Sequence, residues 1–129
     1  MELVAIVTVL ALIEYIVLGF QVGQARGTYG VEAPAITGHP IFERRFRVHQ
    51  NTLEQMPVFL PGLWLFAYYV SPGISAALGV VFIVARALYA RGYVAEPRQR
   101  QTGVLLSSLV TSILLLGGLI GAAVKLFRG

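Results

Sequence analysis

The stretch LVAIVTVLALIEYIVLGFQV fills residues 3–22 and carries one charged side chain, Glu14. As a helix rising about 1.5 Å per residue it reaches roughly 30 Å, the thickness of a bilayer's hydrocarbon core. A basic n-region and a small-residue cleavage site, the marks of a signal peptide, do not accompany it. A second run of this kind, GVLLSSLVTSILLLGGLIGAAVKLF, covers residues 103–127 with Lys125 as its only charge. Residues 74–94 form a third, ended by Pro97. Between the first and third lies Met56 to Val70, an apolar stretch of 15 residues, too short to cross alone. Its helix must extend backward through the strongly polar stretch Arg47–Glu54, which lipid would not tolerate and which therefore faces protein or a water-filled cavity. Pro57 and Pro61 are candidate kinks in it. The expected fold is all-α, an integral membrane four-helix bundle in a single domain over residues 1–129. The helices are expected at about 3–22, 43–70, 74–94 and 103–127, with a glycine- and proline-rich loop from Gly23 to Ile41.

Composition agrees. Hydrophobic residues make up 57% of the 129 positions and charged ones 12%, against about 25% charged in a soluble domain. There is no cysteine, so any thiol chemistry must come from a bound ligand. Two histidines, His39 and His49, without cysteine make a poor metal set, and no metal is expected. The net charge of +4 is modest, and no nucleic-acid partner is expected. Its distribution is more informative. Arg26, Arg44, Arg45, Arg47, Arg86, Arg91, Arg98 and Arg100 gather around the first and third loops, whereas the other side has only Lys125 and Arg128. The positive-inside rule places those two loops in the cytoplasm and both termini outside. Arg44, Arg45, Arg91 and Arg98 read as topology determinants or contacts to lipid phosphates.

Polar chemistry collects at one depth. Asn51 precedes the Ser71–Pro72–Gly73 turn by about as many residues as Tyr89 and Tyr93 follow it, so all three lie near the cytoplasmic boundary. On the second helix Arg47, Asn51 and Glu54 share a face at i, i+4 and i+7; on the third, Arg86, Tyr89 and Tyr93 share one at i, i+3 and i+7. Arg100 follows one loop later. Guanidinium groups bind carboxylates through paired hydrogen bonds, and Glu54 offers an acceptor for an amine. The pocket suits a small ligand with carboxylates and an amine.

The run FERRFRVHQNTLEQMP at residues 42–57, with the spacing Glu-Arg-x-x-Arg-x-x-x-Asn-x-x-Glu before Pro-x-Phe-Leu, resembles the signature of the MAPEG family, the membrane-associated proteins in eicosanoid and glutathione metabolism. The segment ARALYARGY at residues 85–93, followed by Arg98-Gln99-Arg100, is similar to the third-helix motif of that family's microsomal glutathione transferase and cysteinyl-leukotriene synthase branch. The resemblance covers nearly the whole chain. It implies a homotrimer with glutathione, as co-substrate, bound between subunits. It assigns glutathione contacts to Arg26, Arg47, Asn51, Glu54, Tyr89 and Tyr93, with Arg86 beside them, and stabilisation of the thiolate to Arg100. Two positions depart from the branch: Gln55 stands where the leukotriene synthase has tyrosine, and Gly27 where a second arginine follows Arg26.

The implied activity is a membrane-bound glutathione transferase, with glutathione-dependent peroxide reduction as a second reaction of the same thiolate. Its partners would be a lipophilic electrophile or lipid hydroperoxide and the membrane lipids. The site would face the cytoplasm across a bacterial inner membrane, with the endoplasmic reticulum as the alternative. Two other readings are carried. A lipid-binding scaffold of the same family would need no turnover. A small proton-coupled multidrug transporter would use Glu14, but leaves the polar start of helix two and Arg100 without a role.

Overall fold

The computed structural model describes residues 1–96 and 101–129. Among these, the regular elements are four helices: α1 (Glu2–Tyr29), α2 (Pro40–Tyr69), α3 (Pro72–Ala95) and α4 (Gln101–Arg128). Helices α1, α3 and α4 are each long and apolar enough to cross a membrane. Helix α2, which carries the polar stretch 43–54, is not among them.

The first helix extends through Tyr29, whereas the glycines suggested a loop from Gly23 onward. Each interior glycine costs a helix about 1 kcal/mol, but packing outweighs that here. Val22 and Ala25 are buried in a cluster with Val31 and Phe42, which holds the last turns in place. The helix ends at Gly30, in the left-handed conformation (φ 68°), where the Val31 amide donates to the Arg26 carbonyl at 3.1 Å. The second helix begins at Pro40, behind a His39 cap whose Nδ1 accepts from the Ile41 amide at 3.1 Å. It continues through Pro57 and Pro61 to Tyr69.

Side-chain clusters fix the register of the bundle. Val4, Val7 and Ala11 of α1 meet Phe59, Leu63 and Phe66 at one end, while Val22 and Ala25 meet Phe42 at the other. Helix α2 therefore runs antiparallel to α1 along its whole length. Phe59 and Phe82 stack with centroids 3.7 Å apart at the centre of the α2–α3 contact. The Ser75 hydroxyl donates to the Leu63 carbonyl at 2.6 Å. Both α1 and α4 pack against the α2–α3 pair. Gly118 and Gly121 let α4 close onto the α2 backbone near Leu65, Phe66 and Tyr69, the close approach that small residues permit between membrane helices. The outer face is apolar: Leu3, Ile6, Phe20, Val84, Leu105 and Leu119 are all exposed, as lipid-facing side chains are.

Candidate glutathione-binding pocket

Arg47, Asn51, Glu54, Tyr89 and Tyr93 line one cavity of about 400 Å³ between α2 and α3. That volume lies within the range of small-molecule sites, about 300–1,000 Å³. Unlike most such sites it is walled chiefly by polar groups. Arg47 and Glu54 are exposed side chains, and neither makes a hydrogen bond or ion pair with a described residue. They supply a cation and an anion a little under two turns apart. Tyr89 and Tyr93 stack with centroids 5.6 Å apart and give the cavity an aromatic wall. A second cavity of about 370 Å³ adjoins it, sharing Arg47 and Tyr93 and adding Glu43 and Arg44.

Arg86 stands behind the pocket rather than in its lining. It is 1% exposed. Its Nη2 donates to Asn51 Oδ1 at 2.6 Å and to Thr52 Oγ1 at 3.0 Å, and its guanidinium lies 4.3 Å from the centre of the Tyr89 ring. Arg86 therefore holds two ligand-facing side chains, Asn51 and Tyr89, from beneath. With Asn51 Oδ1 committed to Arg86, the amide Nδ2 is the atom that Asn51 has left for a ligand, and it can only donate.

Arg26 is not brought to this cavity within one chain. Its Nη1 donates to the Ala35 carbonyl at 2.7 Å, and its guanidinium sits 4.8 Å above the Phe42 ring. It thus anchors the 31–35 segment to the end of α1. Arg100, expected to stabilise the thiolate, lies outside the described residues, as does Arg98.

Other side chains position the site without having stood out in the sequence. Thr52 falls in the buried stripe of α2, donates to the Val48 carbonyl at 2.8 Å and accepts from Arg86. Its one visible signal is a hydroxyl where the helical period asks for a hydrocarbon. Gly103 lets α4 approach α3 at the site: a Cβ there would lie 2.5 Å from Tyr89 Cβ and 2.6 Å from the Tyr89 backbone nitrogen. Arg44 donates to the Val94 carbonyl at 3.2 Å and Arg45 to Gln21 Oε1 at 3.2 Å. Both arginines, read from sequence as topology determinants or contacts to lipid phosphates, tie α2 to α3 and to α1. His49 stacks on Tyr15, centroids 4.5 Å apart, in space left by Gly19. No group of three or more metal-ligating side chains occurs among the described residues.

The chain is similar over most of its length to known proteins. The sequence profile of the MAPEG family matches residues 4–120. An uncharacterised protein of Synechocystis is 51% identical over 116 residues, covering 90% of this chain and 85% of the relative. Human (Homo sapiens) microsomal glutathione S-transferase 2 is 40% identical over 121 residues, 94% of this chain and 82% of that one. Rat (Rattus norvegicus) leukotriene C4 synthase is 32% identical over 127 residues, 98% of this chain and 85% of that one.

Proposed function

The chain belongs to the MAPEG family, and we propose that it is a membrane-bound glutathione transferase that joins the glutathione thiolate to lipophilic electrophiles. The observation that carries this reading is the convergence of Arg47, Asn51, Glu54, Tyr89 and Tyr93 on one polar cavity. Glutathione has two carboxylates, an α-amine and two amide linkages. Arg47 is placed to take a carboxylate, Glu54 the amine, and Asn51 Nδ2 a carbonyl or carboxylate oxygen. The similarity to a microsomal glutathione S-transferase supports the choice of ligand.

The thiol is the reacting group. A free thiol has a pKa of about 8.5, and a nearby fixed cation lowers it. Arg100 follows α3 in the chain and keeps its proton under all ordinary conditions, so it serves as that cation. The thiolate attacks an electrophilic carbon and a sulfur–carbon bond forms; the leaving group of a halide departs with its electron pair, or in an enone the π pair moves onto the carbonyl oxygen and a proton is taken up. The same thiolate supports peroxide reduction, in which two glutathione molecules reduce one hydroperoxide to an alcohol and water and end as the disulfide.

The family resemblance implies a homotrimer, and the same residues support it. One chain leaves the pocket open on one side and Arg26 away from it. In a homotrimer an adjacent subunit closes the pocket and brings Arg26 to it. Helix α2 is the fourth crossing, since it runs beside α1 for its full length, and its polar face is covered by the neighbouring subunit and the ligand. The arginine distribution supports a pocket on the cytoplasmic side, and the Synechocystis relative supports a bacterial inner membrane. A transferase accounts for the polar cavity, which a proton-coupled carrier built on Glu14 leaves unused. The test is incubation of the purified full chain with glutathione and a panel of lipophilic aryl halides, enones and lipid hydroperoxides. Mass spectrometry should detect a thioether conjugate of the halides or enones; the absence of any conjugate, and of glutathione disulfide with the hydroperoxides, with glutathione bound, favours the scaffold reading instead.

A further inference from the structure

Glu14 lies in the middle of α1, at a depth where a carboxylate costs about 2.5–3.5 kcal/mol on insertion scales, and nothing in the transferase reaction described above uses it. Register places it beside Arg86. Helices α1 and α3 run parallel, with Val7 against Gly79 and Leu18 packed with Tyr89. Interpolating between these contacts sets Glu14 level with Ala85 and Arg86. Glu14 Oε1 and Arg86 Nε are both buried and without a hydrogen-bond partner among the described residues. The hydrogen-bond acceptors of Arg86, Asn51 and Thr52, are neutral. A guanidinium in a low-dielectric interior needs compensating charge as well as acceptors, and Glu14 is the carboxylate within its electrostatic reach.

The other side of Glu14 borders a separate cavity of about 570 Å³ between α1 and α3, whose charged lining residues are Arg45 and Arg91. That cavity shares no lining residue with the one holding Arg47 and Asn51. Glu14 therefore does not line the pocket of its own chain, and its influence on glutathione bound there passes through Arg86.

We propose that Glu14 is a positioning residue of the glutathione pocket: its carboxylate fixes Arg86, and Arg86 fixes the Asn51 amide with Nδ2 toward the ligand. The link from α1 to α3 is electrostatic, and that from α3 to α2 is the Arg86–Asn51 hydrogen bond. This relay gives a role to a membrane-buried carboxylate and to an arginine that does not line the pocket. Loss of the counter-charge leaves the Arg86 charge uncompensated, and its hold on Asn51 Oδ1, the bond that sets which way that amide faces, weakens.

The inference rests on glutathione being the ligand, and the experiment separates the two. Glutathione binding to the full chain in mild detergent is measured by calorimetry for the wild type, Glu14→Gln, Asn51→Ala and the double variant. Glu14→Gln keeps the shape and an acceptor oxygen but removes the charge, and should weaken binding about fivefold, within the range of contact couplings. In the Asn51→Ala background the same change should cost nothing further, because its effect passes through Asn51. A purely structural role would instead add the same loss in both backgrounds. Unchanged affinity in Glu14→Gln, or a full fivefold loss persisting without Asn51, overturns the relay while leaving the glutathione reading intact. A wild type that does not bind glutathione overturns both.

Discussion

Gly103→Ala is the perturbation whose consequence can be worked most directly from the structure. The added methyl would lie 2.5 Å from Tyr89 Cβ, 2.6 Å from the Tyr89 nitrogen and 2.7 Å from the Ala85 carbonyl oxygen. Comfortable carbon contacts are about 3.5–4.0 Å, so each neighbour sits about 1 Å too close. Two of the three are backbone atoms, which cannot rotate away, so α4 must retreat from α3 at the level of the pocket. Such overpacking costs about 1–3 kcal/mol. Alanine's better helix propensity returns about 1 kcal/mol, leaving a net loss of up to about 2 kcal/mol. The shift falls on Tyr89, a wall of the cavity, and a displacement near 1 Å at a reactive site can cost about a hundredfold in rate. Thermal unfolding in detergent and conjugation assays on the same preparation should both show the loss. Gly73→Ala, also within a helix, is the matched control, since its nearest atom would be Ser71 Oγ at 4.0 Å; it should lose neither stability nor turnover and gains at most about 1 kcal/mol from propensity. Wild-type stability and turnover in Gly103→Ala would refute the close α3–α4 packing on which the pocket's shape depends.

The remaining predictions concern chemistry and assembly. Bound glutathione should ionise at a pH at least about 1 below the free-thiol value near 8.5, and ultraviolet absorbance of the thiolate can follow the titration. Arg100→Ala should raise the midpoint and slow turnover at neutral pH, about tenfold if the midpoint rises by about 1, with lysine restoring part of it because it keeps the charge without the planar fork; an unmoved midpoint and rate would remove Arg100 as activator. Mass measurement in mild detergent should give three chains, and a monomer that binds glutathione with full affinity would contradict the shared pocket. Arg86→Met should weaken glutathione binding by about 1.5–3 kcal/mol, the scale of a charge-assisted hydrogen bond; unchanged affinity would mean that Asn51 and Tyr89 hold their places unaided.

Much of the architecture was legible because a bilayer permits few solutions. Apolar runs of spanning length must be helices, and the positions of α3 and α4 followed within two residues. The end of α1 was not legible. Gly23 and Gly27 are local signals, whereas the packing of Val22 and Ala25 against Phe42 is a contact across the loop that no local window contains. At the pocket, helical spacing brought Arg47, Asn51 and Glu54 onto one face, and symmetry about the Ser71 turn set Tyr89 and Tyr93 opposite them. Arg86 shares the spacing of the tyrosines, but its depth behind the lining depends on how α3 is rotated, which counting residues along a face does not fix. Thr52 and Gly103 act through close interhelix contact, and a sequence shows that only after the helices are docked.

The central claim is that the α2–α3 cavity holds glutathione, and calorimetric titration of the wild type against Arg47→Ala tests it most directly. Arg47 is exposed, lines the cavity and bonds to no described residue, so its removal should leave the fold unharmed and act on the ligand alone. The wild type should show saturable binding, and Arg47→Ala should lose about 1.5–3 kcal/mol, one charge-assisted hydrogen bond's worth, with an unaltered thermal transition. Equal affinity in the two proteins would contradict the assignment.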